Sequence, residues 1–264
     1  MPIKPNLLQH WIDNFYGYGS WDAPVWFVAN EEGGGDVPEE VGERLDYFYQ
    51  IHPTSQPTLC DIRDMYSHVA CRFGGPKRDL FDTLHDYRFG PKAVQHGSWK
   101  NLIGFAHGYR NKELPDLLEY QRTSFVRDAE ALLRLYPLPS ATSHAWYYSW
   151  LDLPQFPFLK SRAEYQEHMY GQRIHRILTN IVSHKPEVVL MYGMSNIQAL
   201  KRSVQEHFPE VKFTMSKAIK LKAPQYHRAD LGGTLLLITT QIPALRHNRI
   251  ETGFDWYGLG KMIR

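Results

Sequence analysis

Two adjacent carboxylates, Glu31 and Glu32, follow directly on the apolar run Pro24-Val-Trp-Phe-Val-Ala29 and on Asn30. A charged side chain at the end of a buried segment must find solvent, a partner or a substrate. The two cannot face the same way. One is therefore expected to point into a cleft, to activate water or offset a developing positive charge, while the other supports the turn or the next helix. Helix-dipole pairing alone would also account for two acids here. Gly33, Gly34 and Gly35 come next and let a ligand approach the backbone closely, but they form neither a P-loop nor a dinucleotide fingerprint. Far along the chain, Leu245-Arg246-His247-Asn248-Arg249 mixes one apolar residue with cationic and hydrogen-bonding ones. Phosphate anchoring beside an apolar wedge into a base stack needs that mixture, and so does a basic turn that merely solvates a sheet edge.

Other chemistries lack a local pattern. The chain has 13 histidines but no HExxH or other closed ligand set, and its only cysteines, Cys60 and Cys71, are no CxxC pair. No metal and no organic cofactor is expected. No GxSxG elbow supports serine hydrolase chemistry. The aromatic residues, 14% of the chain, mostly build core, although Phe73, Tyr147, Tyr148 and Trp150 lie where stacking on a base is possible.

Elements must position these residues. Asn6–Tyr16 has helical spacing and Val25–Ala29 reads as a buried strand running into the glycines. Asp36-Val-Pro38-Glu39 has the cap, proline and acid of a helix start, so a helix is expected to about Gln50. Residues 51–116 show no sustained period. Leu117–Tyr136 has helical spacing, Ala145–Leu151 looks like a second buried strand, and Ser161-Arg-Ala-Glu164 opens a long helix to about Ser183. Glu187–Tyr192 is a third strand, followed by a helix capped by Ser195, and Thr234–Thr240 is a fourth. Strands alternating with helices predict an α/β three-layer sandwich, with a central, mainly parallel four-stranded sheet covered on both faces. Its ligand belongs at the carboxyl ends of the strands. One domain over 1–264 is expected, with no internal repeat or linker.

The 264 residues, 43% hydrophobic and 22% charged, are ordinary globular composition and exclude a disordered or collagen-like chain. No apolar stretch approaches the roughly 20 residues that span a bilayer, and the first residues lack a secretory h-region, so a cytoplasmic protein without a membrane partner is expected. The net charge is only +2, yet residues 1–50 carry two basic side chains against nine acidic, and residues 201–250 carry nine against three. Such polarity can orient a phosphate backbone. Acidic helix faces alternating with a basic loop would give the same count.

The order of these pieces resembles the uracil-DNA glycosylase superfamily, in which a first strand ends in a short glycine-bounded motif carrying the water-activating residue and a late strand ends in an H-P-S-like loop. Val25-Trp-Phe-Val-Ala-Asn-Glu-Glu-Gly33 is similar to the first motif; matching its last glycine to Gly33 puts Glu31 at the Asp/Asn position and Asn30 where other branches keep a catalytic Glu. Val188-Val-Leu-Met-Tyr-Gly193 is similar to the strand and glycine turn of that superfamily, and Leu235–Thr240 with Ile242-Pro-Ala-Leu245 to its late strand and loop. Ala29, Glu32 and Ile242 depart from the usual glycine, proline and histidine, which turns the expectation away from uracil. Some bacterial members resemble antiphage enzymes that remove glucosylated hydroxymethylcytosine from invading DNA.

The resemblance implies a monomeric, monofunctional DNA glycosylase acting on a flipped-out modified base. Glu31, Asn30 and His247 would be its catalytic residues, with His247 stabilising the leaving base. Glu32, Gly33, Gly34, Gly35, Phe73, Ser149 and Asp152 would line the substrate pocket, Ser149 or Asp152 replacing a base-reading Asn. Arg246, Asn248 and Arg249 would hold DNA while Leu245 fills the vacated stack. An inactive reader of modified DNA and a free nucleoside hydrolase are the alternatives.

Overall fold

The computed structural model describes residues 3–35, 37–72, 80–140, 146–244 and 253–264. Helix α1 (Pro5–Asn14) carries proline in its first turn, where the missing N–H has no helical partner to lose, and leads directly into β1 (Phe15–Tyr18). Then come β2 (Val25–Ala29), α2 (Pro38–Ile51), β3 (Thr58–Cys60), α3 (Ile62–Ser67) and α4 (Leu84–Phe89). Helices α5 (Trp99–Tyr109) and α6 (Leu117–Thr123) precede β4 (Glu130–Arg134). Short 3-10 helices at Tyr147–Trp150 and Pro157–Lys160 lead to α7 (Arg162–His184), β5 (Val188–Met191) and α8 (Ile197–His207). The chain closes with β6 (Thr214–Ser216), β7 (Tyr226–Asp230), β8 (Leu235–Ile238) and α9 (Trp256–Ile263).

The fold is α/β, and its helices flank one mixed sheet of eight strands in the order β3-β1-β4-β2-β5-β8-β7-β6. The expected four-stranded sheet is thus too small. Its inner neighbours, β4, β2, β5 and β8, are parallel to one another, with Phe27 opposite both Leu132 and Leu190. Strands β1, β7 and β6 add antiparallel pairings outside them, and β3 lies parallel to β1. The additions escape a hydrophobic-pattern reading for identifiable reasons. Phe15–Tyr18 continues the apolar spacing of α1, β3 and β6 are three residues each, and β7 exposes every other side chain at least in part.

Two further expectations are corrected. The second parallel strand is Glu130–Arg134, inside the segment read as the helix Leu117–Tyr136; α6 ends at Thr123 and Val126 takes a positive φ of 62°, which no helix continues through. The aromatic run read as that strand is instead the 3-10 turn Tyr147–Trp150, with the Tyr147 and Tyr148 rings stacked 4.4 Å apart. Helix starts also shift by a residue. Val37 rather than Asp36 occupies the N-cap position of α2, Asp36 itself lying outside the described residues. Asn196 rather than Ser195 caps α8, accepting from the Ala199 N–H at 3.0 Å. Ser161 does cap α7, accepting from the Glu164 N–H at 3.1 Å.

All five residues of β2 are buried, as expected for a strand covered on both faces. Beyond its end the chain stays paired: Leu135 N–H donates to the Ala29 carbonyl at 2.8 Å, Tyr136 N–H to the Asn30 carbonyl at 2.7 Å and Tyr192 N–H to the Val28 carbonyl at 3.0 Å. Arg173 of α7, 1% exposed, caps the β4 end by donating Nη2 to the Arg134 carbonyl at 2.7 Å and Nε to the Leu135 carbonyl at 3.1 Å. Its guanidinium also lies 3.5 Å from the Tyr16 ring centroid. These contacts fix α7, and with it the side chains of its first turn, against the carboxyl ends of the strands.

Candidate active site

A cleft of about 400 Å³ opens at those ends. Asn30, Glu31, Glu32 and Gly33 line it from the end of β2, Arg134 from β4, Tyr192 and Gly193 from the turn after β5, and Ile242 from the segment after β8. Tyr66, His96, Trp99, Ser140 and Arg162 complete it. Four residues expected from sequence to meet a substrate, Asn30 to Gly33, therefore share one cavity.

The two carboxylates are held by separate partners. Glu31 accepts from Arg162 Nε at 3.1 Å and from Arg162 Nη2, and from Gln166 Nε2 at 2.7 Å. Both donors stand on the first turns of α7. Glu32 turns the other way, into the protein: its Oε1 accepts from Tyr66 Oη at 2.6 Å and Arg44 Nη1 at 3.1 Å, and its Oε2 from Tyr18 Oη at 2.7 Å. Burial alone would raise the Glu32 carboxyl, but the Arg44 and Arg134 guanidiniums and the two tyrosine hydroxyls hold it below the usual carboxylate range. It is therefore anionic at neutral pH. Tyr18 and Tyr66 are pushed up by burial and by the Glu32 charge and stay protonated donors.

Arg44, 1% exposed, extends this network backwards. Its Nη2 donates to Glu40 Oε1 at 2.9 Å, and that oxygen also accepts from the Gly35 N–H at 3.0 Å. The glycine turn is thus tied to α2. Gly35 has φ +68° and a Cβ there would sit 2.9 Å from Pro139 Cγ, so only glycine fits; Gly34 also has positive φ, while Gly33 faces open space. Glycines 33 to 35 act here mainly by shaping the turn, and only Gly33 of the three lines the cleft. Asn30 is likewise committed, its Nδ2 donating to the Gly193 carbonyl at 2.9 Å and bridging the ends of β2 and β5.

Sequence reasoning missed three groups. Arg134 is buried beside Tyr192 and Glu32; burial opposes its charge, but those partners hold its pKa above the ordinary value, and its Nε has no hydrogen-bond partner among the described residues. Arg162 lies 131 positions from Glu31, a separation no local pattern reveals. His96 sits in the Gly- and Pro-bearing stretch that carried no period. Its Nδ1 accepts from the Ser98 N–H at 3.1 Å and the Trp99 N–H at 3.4 Å, its ring stacks on Trp99 at 4.5 Å, and its backbone N–H donates to the buried Gln121 at 2.8 Å. Burial, with Arg88 and Arg134 nearby, drives its pKa down to about 3, so the ring is neutral. The only signal in the sequence was His96 followed by Ser98 two residues later at a helix start.

Other expected residues lie elsewhere. Ser149 and Asp152 line a separate cavity of about 240 Å³ with Tyr148 and Phe156, and Ser149 Oγ donates to the Trp146 carbonyl at 2.9 Å. They do not reach the cleft because the segment carrying them is a 3-10 turn and loop, not a strand ending at it. Phe73, Leu245, Arg246, His247, Asn248 and Arg249 lie outside the described residues. Among the described residues no group of three His, Cys, Asp or Glu side chains could hold a metal ion, and no helix is long and apolar enough to cross a membrane.

Chemically the cleft combines anionic oxygen with N–H and O–H donors in one partly enclosed space. Compared with known proteins, the chain matches no family model, no curated protein and no solved structure.

Proposed function

We propose that the protein is a monofunctional DNA glycosylase with a uracil-DNA glycosylase-like core: a modified nucleotide, flipped out of DNA, enters the cleft and its N-glycosidic bond is hydrolysed to leave an abasic site. The observation that carries this reading is the division of charge within one cavity, with the Glu31 and Glu32 carboxylates beside the donors of His96, Arg134, Tyr66 and Tyr192. Breaking an N-glycosidic bond develops positive charge on the sugar and negative charge on the base, and both kinds of group lower that barrier. The architecture is in keeping with it. Strands β2, β5 and β8, whose ends carry the motif-like segments, are adjacent and parallel, and the segments that follow them line the cleft.

In this reading Glu31 faces the sugar and Asn30 positions water or the base. Arg246, Asn248 and Arg249 contact DNA and Leu245 fills the stack. The bound partner is DNA, contacted by a monomer in the cytoplasm, and the base is a modified pyrimidine such as glucosylated hydroxymethylcytosine. The test is incubation of purified protein with DNAs containing uracil, hydroxymethylcytosine or glucosylated hydroxymethylcytosine, followed by alkali cleavage and mass analysis of released bases. Release of one base over many turnovers supports the assignment; no release from any of them overturns it.

One observation favours a second reading. Glu31 is already engaged by Arg162 and Gln166, an arrangement suited to a module that reads a modified base without turnover. Salt-sensitive DNA binding with no product would select it.

A further inference from the structure

We infer that His96 is a catalytic residue of this cleft, a neutral imidazole whose Nε2–H donates a hydrogen bond to the anion that forms on the leaving base. The inference rests on the glycosylase reading and adds a group to it that the sequence did not suggest.

Three features of the ring fix its chemistry. Nδ1 accepts from two backbone N–H groups, those of Ser98 and Trp99, and a nitrogen that accepts cannot carry the proton of a neutral imidazole. The proton is therefore on Nε2. No described residue accepts from Nε2, and His96 forms part of the cleft wall, so this donor is open to a ligand. The ring cannot turn to hide it: Trp99 stacks against one face at an interplanar angle of 14°, Trp99 is itself stacked on Phe89 at 5.8 Å, and Gln121, fully buried, grips the His96 backbone.

The charged groups around the ring keep it neutral. Burial is the largest influence, Arg88 of α4 and Arg134 of β4 add to it, and Glu32 after β2 opposes them more weakly. A neutral donor of this kind suits a leaving anion better than an imidazolium, because it stabilises charge without first being protonated from solvent. During the step, the bond between C1′ and the base nitrogen breaks and its electron pair leaves with the base, which accepts the Nε2–H hydrogen bond. Water adds to C1′ and its proton ends on the departed base, so no oxidant, reductant or further reactant is needed.

The deciding experiment compares wild type, His96→Phe and His96→Gln on whichever DNA the wild type cleaves, with nitrogen-15 NMR of the wild-type imidazole. Loss of one such donor costs on the order of 100-fold in kcat. The Phe variant should lose about that much with KM little changed, whereas Gln, whose amide N–H reaches a similar position, should recover part of the rate. The NMR signal should show an Nε2–H tautomer that does not titrate between about pH 5 and 8, across the range where an ordinary histidine does. A His96→Phe protein as active as wild type, an Nδ1–H tautomer, or titration in that range each overturns the assignment while leaving the glycosylase reading in place. Wild-type protein that releases no base from any DNA overturns both.

Discussion

Arg162, the first residue of α7, closes on Glu31 with Nε at 3.1 Å and Nη2 on the second carboxylate oxygen. The pair joins the end of the inner strand β2 to a helix that is itself anchored on β4 through Arg173. Glu31 keeps 4% of its side chain exposed and Arg162 keeps 26%, so the arginine is the member that solvent or a ligand reaches more readily.

Replacing Glu31 by Gln removes the charge and keeps the shape. Product formation should fall by roughly 100-fold or more, while the melting temperature moves little, because a partly exposed ion pair contributes about 1 kcal/mol or less. Abasic-site assays alongside thermal denaturation make the comparison. Full activity in this variant would remove Glu31 from the mechanism.

Glu32→Ala should behave in the opposite way, as a folding defect. It leaves Arg44 buried with only Glu40 to balance it and strips a partner from the Tyr18 and Tyr66 hydroxyls. Breaking such a buried pair costs on the order of 3 kcal/mol. Glu119→Ala, at an exposed pair with Arg122, is the control and should cost well under about 1 kcal/mol. Urea titrations that gave equal midpoints for the two variants would contradict this picture.

Acid stability follows from the same groups. For Glu32 the folded pKa lies below its ordinary 4.5, so its contribution is present above that value and is lost as pH falls through the folded value. For His96 the folded pKa of about 3 lies below 6.5, so between these values the unfolded chain takes up a proton that the folded one does not, and stability falls as pH is lowered. Wild-type protein should lose stability progressively from about pH 6.5 downwards. His96→Gln should flatten the upper part of that slope, leaving the smaller contributions of His52, His107, His207 and His227, whose pKa values burial also lowers. Identical slopes for the two proteins between about pH 4 and 6.5 would show that His96 is not held neutral.

The glycine turn offers a local test. Gly33→Ala meets nothing within 4 Å and should change stability by under about 0.5 kcal/mol, whereas Gly35→Ala forces a Cβ to 2.9 Å from Pro139 at φ +68° and should cost about 1–3 kcal/mol. Thermal denaturation of both variants checks it; equal effects would mean that the turn relaxes freely.

Much of the inner architecture was legible because its strands are buried on both faces. Val25–Ala29, Val188–Met191 and Leu235–Ile238 are nearly unbroken apolar runs, and the carboxylates after the first of them announced a site. Glu130–Arg134 was not legible. Its Ala-Leu-Leu core continues the helical spacing of the preceding segment, and its strand state is set by pairing with Val25–Ala29, far away in the chain. The same holds for the site. Glu31 and Glu32 stood out locally, but which way each faces depends on Arg162, Gln166, Tyr18, Tyr66 and Arg44, brought together by the tertiary fold. Ser149 and Asp152 were misplaced because the aromatic run before them satisfies itself by ring stacking, without joining the sheet.

The Gly35–Glu40–Arg44–Glu32 chain of contacts also constrains the order of assembly. Arg44 cannot leave water before its acceptors are in reach, since an unpaired buried guanidinium is costly, and Glu32 cannot do so before Arg44 arrives. Docking of α2 and closure of the strand end should therefore occur together as one cooperative unit, with the amides of Val41 to Leu45 and of Phe27 to Ala29 exchanging with solvent at a common rate set by its opening.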